Sequence, residues 1–134
     1  RTDSSAASDV YKRQAKILAR DINGLNIISL HIHKAIVKIS EIKYLKENKM
    51  FIISMKRNSV KEKNKKVLSV CKFEFIDEAK SRKINQLNIN KELEILAINV
   101  TKNIDNYNFN LLFSNNGLIT LTSETIEVTL EDLK

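Results

Sequence analysis

Apolar and polar positions in this chain follow two periods, and their order along the sequence lays out the elements. Leu25, Ile28, Ile32, Ala35 and Ile36 recur on one helical face, which predicts an α-helix ending near Val37. Asp21 or Asn23 stands where a side chain can accept a hydrogen bond from a free N–H of the first turn. A competing alternation sets Ile28, Leu30 and Ile32 against Ser29, His31 and His33, as a strand would, but the segment is longer than a usual strand. Ahead of the helix, Ala15 to Arg20 is short, apolar and strand-like.

After the helix the period shortens to two. Ile39 to Leu45 and Met50 to Arg57 flank the polar "KENK", Lys46 to Lys49, and read as a hairpin. Asn58 to Lys66 is polar and basic, an exposed connection. Cys71, Phe73 and Phe75 alternate with Lys72 and Glu74, which predicts a strand with one buried face. Leu93 to Val100 is apolar on both parities, as a strand covered on both sides would be. Tyr107, Phe109, Leu111 and Phe113 alternate with asparagines, and "SNNG", Ser114 to Gly117, turns the chain into Leu118 to Thr122. The Asn-Gly pair suits a tight hairpin because both residues tolerate positive φ. Ile119 and Leu121 then sit on odd positions, whereas Ile126, Val128 and Leu130 sit on even ones. A bend or bulge near Ser123 to Thr125 is therefore required. The sum is an α+β chain: one N-terminal helix packed on a mostly antiparallel sheet, or a partly open barrel, of about seven or eight strands.

Composition changes the picture at one end. Lys, Asn and Ile are abundant from residue 15 onward, as in a protein from an AT-rich genome, yet residues 1–14 contain neither Ile nor Asn. Asp9 to Gln14, "DVYKRQ", resembles the translated mosaic end of a transposase adaptor used in library preparation, and Ser4 to Ser8 fits the adjoining primer. Residues 1–14 thus read as a non-native leader without a fold, and residues 15–134 as a single domain with one core. At 43% hydrophobic and 29% charged, the composition is that of a globular protein. No apolar run is longer than four residues, as in Ile95 to Ile98, too short for a membrane-spanning helix. One Cys leaves no internal disulfide and no multi-Cys metal site, and a cytoplasmic location is expected.

The net charge of +7 raises nucleic acid as a partner, because clustered cations displace the counterions of phosphates. Two clusters stand out: Lys56 and Arg57 with Lys61, Lys63, Lys65 and Lys66, then Lys80, Arg82 and Lys83. Eighteen Lys against five Arg, however, reflects codon bias as much as any partner. No aromatic-rich RNA-binding segment and no Gly-flanked loop accompanies the charge.

Candidate chemistry is sparse. Cys71 shares the parity of Phe73 and reads as a buried structural thiol rather than a nucleophile. His31 and His33 would share a face only on a strand, so a helix argues against a metal pair. Glu124, Glu127 and Asp132 could act as acid–base carboxylates, but such residues more often edge a strand or pair with Lys. Arg57 and Arg82 persist in a Lys-rich chain, which suggests that a planar guanidinium is needed, with a structural bridge to Glu74 or Glu124 expected ahead of anion binding. Gly24 and Gly117 are the only glycines, so no phosphate-cradling loop exists and no cofactor is expected.

Over residues 16–133 the chain resembles an alphaproteobacterial family designated domain of unknown function 2948. The resemblance runs through Ser29, His31, Ala35 and Ile36 in "ISLHIHKAIV", Arg57 in "FIISMKRN", and Phe73 and Glu74 in "CKFEF". It continues through Ser81, Arg82 and Ile84 in "AKSRKIN" and through Leu96 to Ile98. The tail is its most specific part, at Gly117, Ile119, Leu121, Glu124, Ile126, Glu127, Leu130, Asp132 and Leu133. Lys34, Lys56 and Lys83 depart from its pattern. The resemblance implies a small bacterial protein without an assigned activity. The expected function is a non-catalytic binding or accessory module acting through a protein partner or self-association, with His31, Arg57, Arg82 and Glu124 as candidate binding residues. An enzyme with a site where those four converge, and a basic protein associated with RNA or DNA, are the alternatives.

Overall fold

The computed structural model of the chain describes residues 16–59 and 65–133. The leader lies outside them, as does most of the basic connection after Asn58. The elements are β1 (Lys16–Ala19), α1 (Ile22–Ile32), β2 (Ala35–Lys38), β3 (Ile42–Leu45), β4 (Met50–Asn58) and β5 (Lys66–Phe73). They continue with β6 (Ile76–Arg82), β7 (Glu92–Lys102), β8 (Tyr107–Phe113), β9 (Leu118–Ser123) and β10 (Val128–Asp132). All the strand pairs are antiparallel, in the order β1-β10-β5-β4-β2-β7-β8-β9-β6, with β3 pairing β4 beside β2. The α+β expectation holds, with ten strands rather than seven or eight and with no closed barrel.

The sheet bends over on itself. Short β2 joins two halves, β1-β10-β5-β4-β3 and β7-β8-β9-β6, whose inner faces share one core. Phe51 and Phe73 from the first half stack in series with Phe109 from the second, at centroid separations of 6.1 and 5.8 Å. Such aromatic pairs favour these tilted geometries over face-to-face stacking.

Asp21 caps α1 as expected, its Oδ1 accepting from Gly24 N at 2.7 Å. A Cβ at Gly24 would sit 3.1 Å from the Ala19 backbone, a tight contact, so glycine lets the helix start close to β1 without displacing it. Leu25, Ile28 and Ile32 are buried, each contributing about 1.5–3 kcal/mol of burial. The helix is shorter than its pattern suggests. Lys34 turns left-handed at φ 66° and donates its N–H to Ile95 O, so Ala35 and Ile36 begin β2 instead of continuing the helix.

Two further differences are parity resets in the backbone, and a third concerns which turn residues take positive φ. Phe75 adopts φ 61° and is 52% exposed, so it leaves the buried face of Cys71 and Phe73 and delivers buried Ile76 to β6, a strand its mixed sequence conceals. In β7 a bulge between Ile95 and Ala97 moves the inner face from odd Leu93 and Ile95 to even Ile98. The two-parity run is therefore mainly a register shift. At "SNNG" the positive φ falls on Asn115 and Asn116, while Gly117 has φ −69° and makes room for Ile84, whose Cγ1 would lie 3.0 Å from a Cβ there. The parity break after Leu121 is a crossover, because β9 pairs in the second half-sheet and β10 in the first.

Candidate functional site

β4 and β7 extend beyond opposite ends of short β2, which gives the bent sheet two margins. At one, the second half of β7 has no strand beyond it, and α1 covers that edge. Ile98 N donates to Ser29 Oγ at 2.9 Å, and the His33 ring Nδ1 meets Leu96 O at 2.8 Å. At the other, β3 and β6 face each other across an open cleft of about 460 Å³. Its floor includes buried Phe51 and Ile119. Ile42 and Tyr44 of β3 form one wall, Ala79 and Ser81 of β6 the other, and Ile84, Gln86 and Ile89 roof it.

The register explains this lining. Ile42 and Tyr44 pair with buried Ile53 and Phe51, and Ala79 and Ser81 with buried Leu121 and Ile119, so all four face inward. By the same alternation the intervening Lys43, Lys80 and Arg82 face outward, although Lys80 also borders the cleft. The cleft is tied at both ends. At its foot Tyr44 Oη donates to Ile76 O at 2.9 Å and Ile76 N to Lys49 O at 2.7 Å. At its head the amides of Ile39 and Ser40 donate to the carbonyls of Lys91 and Ile89. Between these ties, no hydrogen bond among the described residues reaches the backbone N–H and C=O groups on the free edge of β3 or on that of β6 from Asp77 to Arg82.

Polar groups sit at the rim. Gln86 Nε2 donates to Ser81 Oγ at 2.9 Å, and Lys80 lies 3.6 Å from Glu78 in an exposed pair. Below the foot, the Lys49 ammonium donates to Asp77 at 3.1 Å. That hydrogen bond and the attraction behind it hold the ammonium above its ordinary range. Leu87, in the roof loop, is 91% exposed, an apolar side chain held in water beside the mouth.

The four candidate residues do not converge. His31 lies in the last turn of α1 with its Nδ1 on Ile27 O, Arg82 closes β6 on the outer surface, and Glu124 lies exposed between β9 and β10. Arg57 is 4% exposed on the inner face of β4. Its Nη2 donates to Asp132 Oδ1 at 2.6 Å and its Nε to Ser69 Oγ at 2.9 Å, while Ser69 Oγ donates to the same carboxylate at 2.7 Å. No hydrogen bond or ion pair among the described residues joins any two of the four. The planar guanidinium is used structurally, but its partner is Asp132 rather than Glu74 or Glu124. Asp132 and the cleft residues carried no periodic signal strong enough to mark them as a site. Only Asp132, as part of the family tail, could have been tied to Arg57 in advance.

Cys71 is buried, and desolvation pushes its thiol up to about 12, so it stays protonated and unreactive at neutral pH. The described part of the two basic clusters falls on β4–β5 and on β6, separated along the sheet path by β2, β7, β8 and β9. No helix among the described residues is long and apolar enough to cross a membrane.

No curated protein matches the chain. A solved structure described as an uncharacterized protein from Neisseria gonorrhoeae is similar over 86% of this chain and 95% of that one, with 14% identity and a TM-score of 0.44. The model of a family described as a protein of unknown function (DUF2948) matches residues 15–134, and the chain belongs to that family.

Proposed function

We propose that this protein is a non-catalytic binding module and that the cleft between β3 and β6 is its binding surface, open to a protein partner or to a second copy of the chain. The observation that carries this reading is the cleft itself. A volume of about 460 Å³ with an apolar floor, a few polar groups at the rim and unpaired strand edges on both sides has the character of a binding site. The scatter of His31, Arg57, Arg82 and Glu124 supports binding over catalysis, since acid–base or nucleophilic work needs side chains within reach of one reacting atom. The separation of the basic clusters likewise favours a protein partner over a nucleic acid. The Lys-, Asn- and Ile-rich composition supports a source with an AT-rich genome, and the resemblance to the family supports an alphaproteobacterial one, with a cytoplasmic location as the accompanying expectation.

The test is occupancy by 8-anilino-1-naphthalenesulfonate, an apolar anion that fluoresces when shielded from water. The folded protein is expected to bind it saturably, and Ala79→Trp, which fills the cleft from the β6 wall, to abolish binding while retaining its thermal transition. Equal fluorescence from a folded Ala79→Trp protein, or none from the parent, would count against the cleft as the binding surface.

A further inference from the structure

The walls of the cleft specify more than an apolar volume. Each is a strand edge, and each presents side chains in strict alternation: inward Ile42 and Tyr44 against outward Lys43, and inward Ala79 and Ser81 against outward Lys80 and Arg82. The backbone edges between the two tied ends have no hydrogen-bond partner among the described residues. An unpaired edge is a template for another strand, which satisfies the exposed N–H and C=O groups while side-chain pockets set the sequence. The outward side chains add a sign. Lys80 is offset by Glu78, but Lys43 and Arg82 form no ion pair among the described residues, leaving excess positive charge outside the cleft.

On the reading that the cleft is the binding surface, we infer that its occupant is an extended segment of a partner protein that adds as a strand to the free edge of β6, with alternating apolar and acidic residues. The apolar side chains enter the cleft against Ile42, Tyr44 and Ala79. The acidic ones lie on the outer surface near Lys43, Lys80 and Arg82. Strand addition supplies affinity through the main chain, and the alternation supplies selectivity, because a one-residue slip would put carboxylates against the apolar floor.

The experiment uses the full chain and a fluorescein-labelled peptide of alternating Val and Glu, followed by anisotropy. Controls are a block peptide of the same composition and two versions N-methylated either at every Val or at every Glu. N-methylation removes donors on one edge of a strand at a time. The alternating peptide is expected to saturate and the block peptide to bind at least tenfold more weakly. At least one N-methylated version should also lose roughly tenfold, the equivalent of one hydrogen bond. Arg82→Glu, on an exposed side chain, should weaken the Val/Glu peptide several-fold and favour a Val/Lys peptide instead. Block or N-methylated peptides that bind as well as the parent would overturn strand addition. If no peptide binds while the naphthalenesulfonate still occupies the cleft and Ala79→Trp still excludes it, the occupant is a compact amphiphile: strand addition is wrong and the binding-module reading stands. Loss of both would sink both.

Discussion

The two margins of the bent sheet face the same problem and answer it differently. Along the second half of β7 the unpaired backbone is covered by α1, which lends a serine hydroxyl to Ile98 N and a histidine ring to Leu96 O. Along β3 and β6 no group among the described residues hydrogen-bonds the free backbone between the ties, and the margin is tied only at its ends. A buried edge must be satisfied, whereas an open one can leave its groups to water or to a partner. The closed margin is therefore expected to contribute stability and the open one to contribute binding.

The comparison breaks if stability rests on the buried ion pair of the first half-sheet rather than on the helix-covered margin. Arg57 and Asp132 join β4 to β10, and both are largely buried. Arg57→Met leaves the carboxylate desolvated with only Ser69, and is expected to cost about 3 kcal/mol or more in urea unfolding. Adding Asp132→Leu should restore most of that loss, since the pair as a unit is worth far less than an orphaned charge. A single variant that melts like the parent would show that water reaches the site.

A matched pair of truncations sharpens the contrast. Ile28→Ala removes a fully buried side chain under α1 and is expected to cost about 2–5 kcal/mol. Ile84→Ala, in the roof of the cleft, removes a half-buried one next to open space and should cost less than about 1 kcal/mol. Equal losses would mean that both margins are structural.

This contrast was half legible in the sequence. Helical spacing of Leu25, Ile28 and Ile32 and the Asp21 cap mark the covering element, and alternation marks most strands, because burial on one face writes itself into residue type. The cleft left no such mark. It arises from β3 ending after Leu45 and from β6, whose "IDEAKSR" alternates only weakly because an edge strand over a groove needs little apolar surface. The parity resets at Lys34, Phe75 and the β7 bulge are set by tertiary hydrogen bonds, such as Lys34 N to Ile95 O and Ser123 Oγ to Phe75 O, which no local pattern encodes. The Arg57–Asp132 pair spans 75 residues, and charge type alone could not choose Asp132 over Glu74 or Glu124.

If the cleft stops at its floor, solvent does not reach Cys71. The folded thiol is pushed up to about 12 against an ordinary value of 9.0. Below pH 9 both states carry the proton and the full stability is present. Above it the unfolded chain ionises first, and stability falls by at most about 1.4 kcal/mol per pH unit toward pH 12. Urea unfolding at pH 9 and pH 10.5 should show this loss in the parent, reduced by the Cys71 share in Cys71→Ala. Ready alkylation of the folded protein by iodoacetamide at pH 8 would mean that the cleft extends into the core.

On the closed margin, Ser29→Ala strands the Ile98 N–H beneath the helix. A loss of about 1–2 kcal/mol is expected, measured by thermal or urea unfolding, because a covered donor without a partner bears its full desolvation cost.

The smallest effect belongs to the open margin. Tyr44→Phe removes the hydroxyl that reaches Ile76 O at the foot of the cleft but keeps the ring against Phe51, 6.4 Å away between centroids. The orphaned carbonyl lies beside the opening, where water can replace the hydroxyl, so the expected loss is about 0.5 kcal/mol. Ile76 N still donates to Lys49 O, so the edges remain joined at one point. Amide exchange at Asp77 to Lys80 should nonetheless quicken, since one of the two ties that close the foot is gone. A Tyr44→Phe loss equal to that of Ser29→Ala, with no change in exchange along β6, would erase the distinction between the margins. It would mean that the foot of the cleft is as dry as the floor beneath α1.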